Sequence, residues 1–110
     1  MKTSVLREKR CKDCGPGTPA LTPAEIGLLL PALTGWQTGA VDIQRTFNFK
    51  DYHQTMAFVN AVAWVAHREN HHPDMEVGFN RVRVRYSSHS VGGLSENDFI
   101  CAAKIDALVE

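Results

Sequence analysis

Apolar and polar positions along the chain repeat with two different periods, and the changes of period divide it into elements. Between Ala40 and Phe49, Val41, Ile43, Phe47 and Phe49 share one parity, whereas Asp42, Gln44 and Asn48 share the other. That alternation predicts a half-buried strand, or two strands joined by a tight bend, with Arg45 interrupting the apolar parity. From Asp51 to Asn70 the period becomes helical: Tyr52, Met56, Val59, Ala63 and Ala66 form one stripe, with Phe58, Val62 and Val65 beside it. This is the longest predicted helix. Its apolar surface is broader than one sheet contact requires, so part of it is expected to pack against another subunit. Pro73 cannot extend the helix and disfavours α geometry at His72, so the chain must leave it around the paired histidines His71 and His72. Farther on, Val82, Val84 and Tyr86 alternate with Arg81, Arg83 and Arg85, which predicts a strand with one buried and one solvated face.

The ends of the chain carry different signals. Residues 1–21 mix charges with Gly15, Pro16, Gly17 and Pro19 and show neither period, so they read as a flexible N-terminal tail. Thr22-Pro23-Ala24-Glu25 supplies an N-cap hydroxyl, a proline at the first helical position and a carboxylate three residues after the cap. A helix is expected from there through Leu28, Leu29 and Leu30 to about Leu33. After the breaker Gly92-Gly93, Ser95 and Asp98 resemble a second cap, ahead of a helix over Phe99 to Leu108. The order is helix, strands, helix, strands, helix, in one domain over residues 22–110 and with no internal repeat.

Length and composition narrow the function classes. At 110 residues, 44% hydrophobic and 22% charged, the chain suits one globular core. Lys plus Arg and Asp plus Glu number 12 each, so no long-range field favours nucleic acid or anionic lipid. No stretch approaches a membrane-spanning run, and the start MKTSVLREKRCKDCG lacks the apolar region of a secretory signal, so neither a membrane nor export is expected. A cytoplasmic location follows, and the odd count of cysteines, Cys11, Cys14 and Cys101, agrees with a reducing compartment. A domain this small gains burial by self-association, so a homo-oligomer is expected.

His67, His71, His72 and His89 crowd one region around a helix end and the end of a later strand. Imidazoles titrate near neutrality, so several in one cleft can exchange protons with a substrate. Acid–base chemistry is the natural reading. A metal site is the rival, because His67 and His71 are spaced i, i+4. It lacks a glutamate in an HExxH pattern and a second CxxC to complete Cys11-x-x-Cys14. A third reading makes these histidines plain helix-end residues, since His suits a helix C-terminus. Cys101 lies within an apolar run and reads as core, and Cys11 and Cys14 stay unassigned.

The segments His67-x-x-x-His71-His72-Pro73, Phe79-Asn80-Arg81-Val82 and Ser88-His89-x-x-x-Gly92-Gly93-Leu94-Ser95-x-x-Asp98 together resemble the pterin-4a-carbinolamine dehydratases. The resemblance extends to Gly35-Trp36 and Phe47-Asn48-Phe49-Lys50-Asp51-Tyr52, and so covers about residues 22–108. It implies an α+β fold of two layers, a four-stranded antiparallel sheet with three helices packed on one face, and homodimers or homotetramers. It also implies the loss of water from the 4a-hydroxytetrahydropterin left by aromatic amino acid hydroxylases, giving quinonoid dihydropterin with no metal or organic cofactor. His71 and His89 are the implied acid–base pair, and His72 orients the substrate or assists. Trp36, Asn70, Pro73, Ser88 and Ser90 are the expected substrate-binding residues. Met75, Asn70 and His67 depart from the family's usual residues but leave the three central histidines in place. Two other functions are open: a regulatory dimerisation partner, as animal members are for a homeodomain transcription factor, and a dehydratase-like role in another pterin pathway such as molybdenum cofactor metabolism.

Overall fold

The computed structural model describes residues 3–15 and 17–110. Four strands form one antiparallel sheet in the order β1 (Gln37–Thr38), β2 (Ile43–Asn48), β4 (Arg81–Tyr86), β3 (Asp74–Val77). The helices are α1 (Thr3–Glu8), α2 (Pro23–Leu29), α3 (Tyr52–Glu69) and α4 (Glu96–Ala107). The stretch that alternation marks as one strand or two holds one strand, β2, and its hairpin partner β1 lies just upstream of that stretch. Gly39 N–H bonds the Asp42 carbonyl at 2.8 Å across the hairpin turn, and a Cβ at Gly39 would collide with the Asp42 carboxylate. Both predicted caps are present in part or whole: Thr22 and Glu25 bond each other's backbone at 3.2 and 2.9 Å, and Asp98 accepts from Ser95 N–H at 2.9 Å.

Pairing sets the two faces of the sheet. Ile43, Arg45 and Phe47 stand opposite Tyr86, Val84 and Val82, so these six share the side that meets the helices. Arg45 interrupts the apolar parity because it has a partner there: its guanidinium bonds Asp106 of α4 at 2.7 Å and lies 4.3 Å above the Phe47 ring. Burial pushes the Asp106 carboxyl above its ordinary value, against the opposing pull of Trp36 and Arg45. On the other face Arg83 and Arg85 reach Glu76 of β3 at 4.0 and 3.6 Å, the solvated face expected of their alternation. In α3 the buried line is Thr55, Phe58, Val62, Ala66 and Glu69, so the core stripe is the one beside the stripe expected from periodicity. Tyr52 lies off that buried line and is left largely exposed.

The flexible-tail expectation is corrected for the described residues of the N-terminal segment; Met1, Lys2 and Pro16 lie outside them. Helix α1 packs on α4, Leu6 is fully buried, and Lys104 Nζ donates to the Arg7 carbonyl at 2.7 Å. The cause lies in α4, where Phe99, Ile100, Cys101, Ala102, Ala103 and Ile105 are all buried. A helix apolar nearly all round cannot hide itself on one sheet, and α1 covers the side that the sheet leaves open. Arg7 beside Glu110 holds that carboxyl below its usual value, tying α1 to the C-terminal residue as well. Leu6→Ala is therefore expected to cost about 2–5 kcal/mol of unfolding free energy in a urea titration. A cost near zero would mean that the segment is unpacked in solution.

Candidate active site

Two chain reversals bring the site together. Helix α3 ends at Asn70, whose backbone is left-handed (φ 52°, ψ 43°), and His71 N–H bonds back to the Ala66 carbonyl at 3.2 Å. Asparagine tolerates that conformation, and Pro73 prevents the helix from resuming. After β4, Ser88 pairs with Gly93 (Ser88 N–H to Gly93 carbonyl, 2.8 Å) around a short 3-10 turn over His89–Val91, closed by left-handed Gly92. The two reversals face each other across a cleft of about 470 Å³. Asn70, His71, His72 and Pro73 line it from one side and Ser88, His89 and Ser90 from the other.

His71 is anchored by a buried carboxylate. Its Nε2 lies 2.5 Å from Oδ1 of Asp98, a carboxylate with no solvent exposure. The second oxygen, Oδ2, accepts from Ser88 Oγ at 3.0 Å and from Ser95 N–H at 2.9 Å. Ser88 Oγ and Ser95 Oγ are 2.6 Å apart, which completes a closed buried network. An ionised carboxylate can only accept, so with Asp98 ionised the imidazole proton lies on Nε2, and Nδ1 is the nitrogen left for proton exchange with a bound molecule. The ring also lies against Tyr86 (centroids 5.2 Å apart, planes at 21°), whose hydroxyl donates to the His71 carbonyl at 3.4 Å. Burial drives the Tyr86 phenol far above its ordinary value, so it stays neutral and serves as a packing surface. His72 and His89 are exposed on the cleft rim.

The expected site residues divide. His71, His72, His89, Asn70, Pro73, Ser88 and Ser90 all line the cleft. The Ser88 hydroxyl is committed to Asp98 and Ser95, so it braces the site from beneath. Trp36 does not line the cleft: it is buried edge-on to Phe47 (6.1 Å), and its Nε1 donates to Asp106 Oδ1 at 2.8 Å. A large indole gains more from a core place with its N–H satisfied than from an open rim. His67 lies beside Trp64, centroids 5.6 Å apart, while the His71 ring is held by Asp98. Asp98 was legible only as a helix cap; its second role depends on where α4 starts relative to His71. Lys12, Asp13, Cys14 and Asn97 also line the cleft, brought there by the packed N-terminal segment. A larger groove of about 750 Å³ between β2 and α3 is lined by Phe47, Phe49 and Phe58, with no histidine or carboxylate among its described lining residues.

Fold and cleft together define a small α+β protein whose site is built from histidines, one of them held by a buried carboxylate. The sequence profile of the family described as pterin 4 alpha carbinolamine dehydratase matches residues 19–108, and the chain belongs to that family. A relative from Nitrosomonas eutropha, provisionally named a pterin-4-alpha-carbinolamine dehydratase, is 59% identical over 94% of this chain and 93% of its own. One from Nitrosospira multiformis with the same provisional name is 55% identical over 100% of this chain and 99% of its own. Among solved structures, a transcriptional coactivator/pterin dehydratase from Brucella melitensis superposes with a TM-score of 0.79 at 35% identity, covering 83% of this chain and 99% of that one. A pterin dehydratase-like protein described as a RuBisCO assembly factor in the alpha-carboxysome gives 0.56 at 28% identity, over 66% and 84%.

Proposed function

We propose that the chain is a hydro-lyase that removes water from a 4a-hydroxytetrahydropterin to give the quinonoid dihydropterin, in recycling of the pterin after aromatic amino acid hydroxylation. The observation that carries this reading is the His71–Asp98 pair at 2.5 Å, set in a cleft shared with His72 and His89. The reaction needs only proton movement: the C4a–O bond breaks, the hydroxyl leaves as water with one added proton, and N5 gives up its proton as the N5–C4a double bond forms. With its own proton held on Nε2, His71 is the base for N5 through Nδ1. His89, on the opposite wall, is the acid for the departing hydroxyl. His72 and the backbone around Asn70 and Ser90 orient the ring. Each positioned group contributes about 10²- to 10⁴-fold. Self-association through the outer side of α3, where Trp64 is 61% exposed, belongs to the same reading.

A stable pterin without the 4a-hydroxyl, 7,8-dihydrobiopterin, tests where the substrate sits. Long-range nitrogen–proton NMR spectra of the imidazoles are expected to show shifts at His71, His72 and His89, with His53 and His67 unmoved. Shifts confined to His53 or His67, or none at saturating ligand, would place the pterin elsewhere and remove the cleft from the account.

A further inference from the structure

Residues 9–14 form a strap between the end of α3, which leads into His71, and the start of α4, which carries Asp98. On the α3 side Glu69 accepts from Cys11 N–H at 2.8 Å and pairs with Arg10 at 3.0 Å. On the α4 side the Asn97 carboxamide grips the Lys12 backbone twice: Lys12 N–H donates to its Oδ1 at 3.0 Å, and its Nδ2 donates to the Lys12 carbonyl at 2.6 Å. Lys9 reaches Glu96 at 3.0 Å. In the middle of the strap Cys11 Sγ lies 3.5 Å from Cys101 Sγ, ninety residues away in sequence and fully buried on α4, whereas Cys11 is half-buried. Cys14 points to a different place, with its Sγ 3.8 Å from Asn97 Nδ2 on the cleft wall. Dehydration uses none of these thiols.

We propose that Cys11 and Cys101 form a reversible disulfide that fastens the strap to α4 and so fixes the wall of the histidine cleft. The co-reactant is a low-molecular-weight disulfide. Cys11, the more accessible thiol, loses its proton and attacks one sulfur, releasing one small thiol and leaving a mixed disulfide on Cys11. Cys101 then loses its proton and attacks Cys11 Sγ, releasing the second small thiol. Two protein thiols are oxidised, and one small disulfide is reduced to two thiols. The sulfurs must close from 3.5 Å to about 2.05 Å, a short movement for which the strap is the mobile partner because α4 is packed on all sides. The contact with Cys101 and burial both hold the Cys11 thiol protonated, so exchange is slow at neutral pH and quickens as pH rises. A link across so long a loop strongly restricts the unfolded chain. None of this rests on the pterin reading.

The test treats reduced, full-length protein with glutathione disulfide at mildly alkaline pH, alkylates the remaining thiols, and maps tryptic peptides by mass spectrometry. Cleavage after Arg10, Lys12, Arg45, Arg85 and Lys104 puts Cys11, Cys14 and Cys101 on three separate peptides. The expected product joins peptide 11–12 to peptide 86–104, with Cys14 fully alkylated, a raised melting temperature, and full reversal by dithiothreitol. Cys14→Ser should still form it. Cys101→Ser should stop at a glutathione adduct on Cys11, and Cys11→Ser, at a partly exposed position, gives a second arm in which Cys101 stays fully alkylated. A link between Cys11 and Cys14, a lasting adduct on Cys11 of the unsubstituted protein, or three alkylated cysteines would each overturn the proposal.

Discussion

His71→Ala is expected to lower kcat for pterin dehydration by about 10²- to 10⁴-fold while the protein stays folded. The side chain is one of few in the cleft with a fixed orientation: Asp98 holds Nε2, and Tyr86 lies flat against the ring. Removing it deletes the proposed base and also leaves the buried carboxylate short of one donor. Ser88 and the Ser95 amide still serve the other oxygen, so the fold persists. His89→Ala removes the proposed acid from an exposed turn and is expected to cost activity with little change in stability. Steady-state kinetics beside a thermal melt separates these outcomes. A kcat for His71→Ala within twofold of the unsubstituted protein would remove His71 from the chemistry.

Asp98→Asn is expected to reduce kcat by roughly 10²-fold and stability by about 1–3 kcal/mol. The carboxylate accepts from three donors, His71 Nε2, Ser88 Oγ and the Ser95 amide. An asparagine has one acceptor oxygen and an NH₂, so one of those donors must face another donor. If the amide nitrogen turns to His71, the ring must move its proton to Nδ1, the nitrogen needed as base. The loss should then fall mainly on kcat rather than KM, with a changed imidazole tautomer in nitrogen NMR spectra. A carboxylate that served only as a helix cap would lower stability and leave the kcat of the folded protein unchanged.

Periodicity read well where one face of an element is buried and the other wet. Val82, Val84 and Tyr86 are buried against Arg81, Arg83 and Arg85 outside, as their alternation requires. The helix ends at Asn70 and Ser95 were marked by local residues whose chemistry is confined to a few positions. Three histidines converge because those helix and turn ends are local features, and the resemblance named the same positions. Arg45 and Trp36 could not be placed from spacing, because their partner Asp106 lies more than sixty residues away in sequence. Asp98 hid behind its cap role for the same reason. The N-terminal segment hid behind its glycines and prolines, although a signal existed: the run from Phe99 to Ile105 is too evenly apolar for a helix that touches only one sheet.

The His71–Asp98 cleft is expected to dehydrate a 4a-hydroxytetrahydropterin. Stopped-flow absorbance of freshly generated 4a-hydroxytetrahydrobiopterin, across a series of protein concentrations, tests it most directly. The dehydration rate is expected to rise in proportion to unsubstituted protein and to fall back to nearly the uncatalysed value with His71→Ala. A rate equal to the uncatalysed one at every concentration of unsubstituted protein would contradict it.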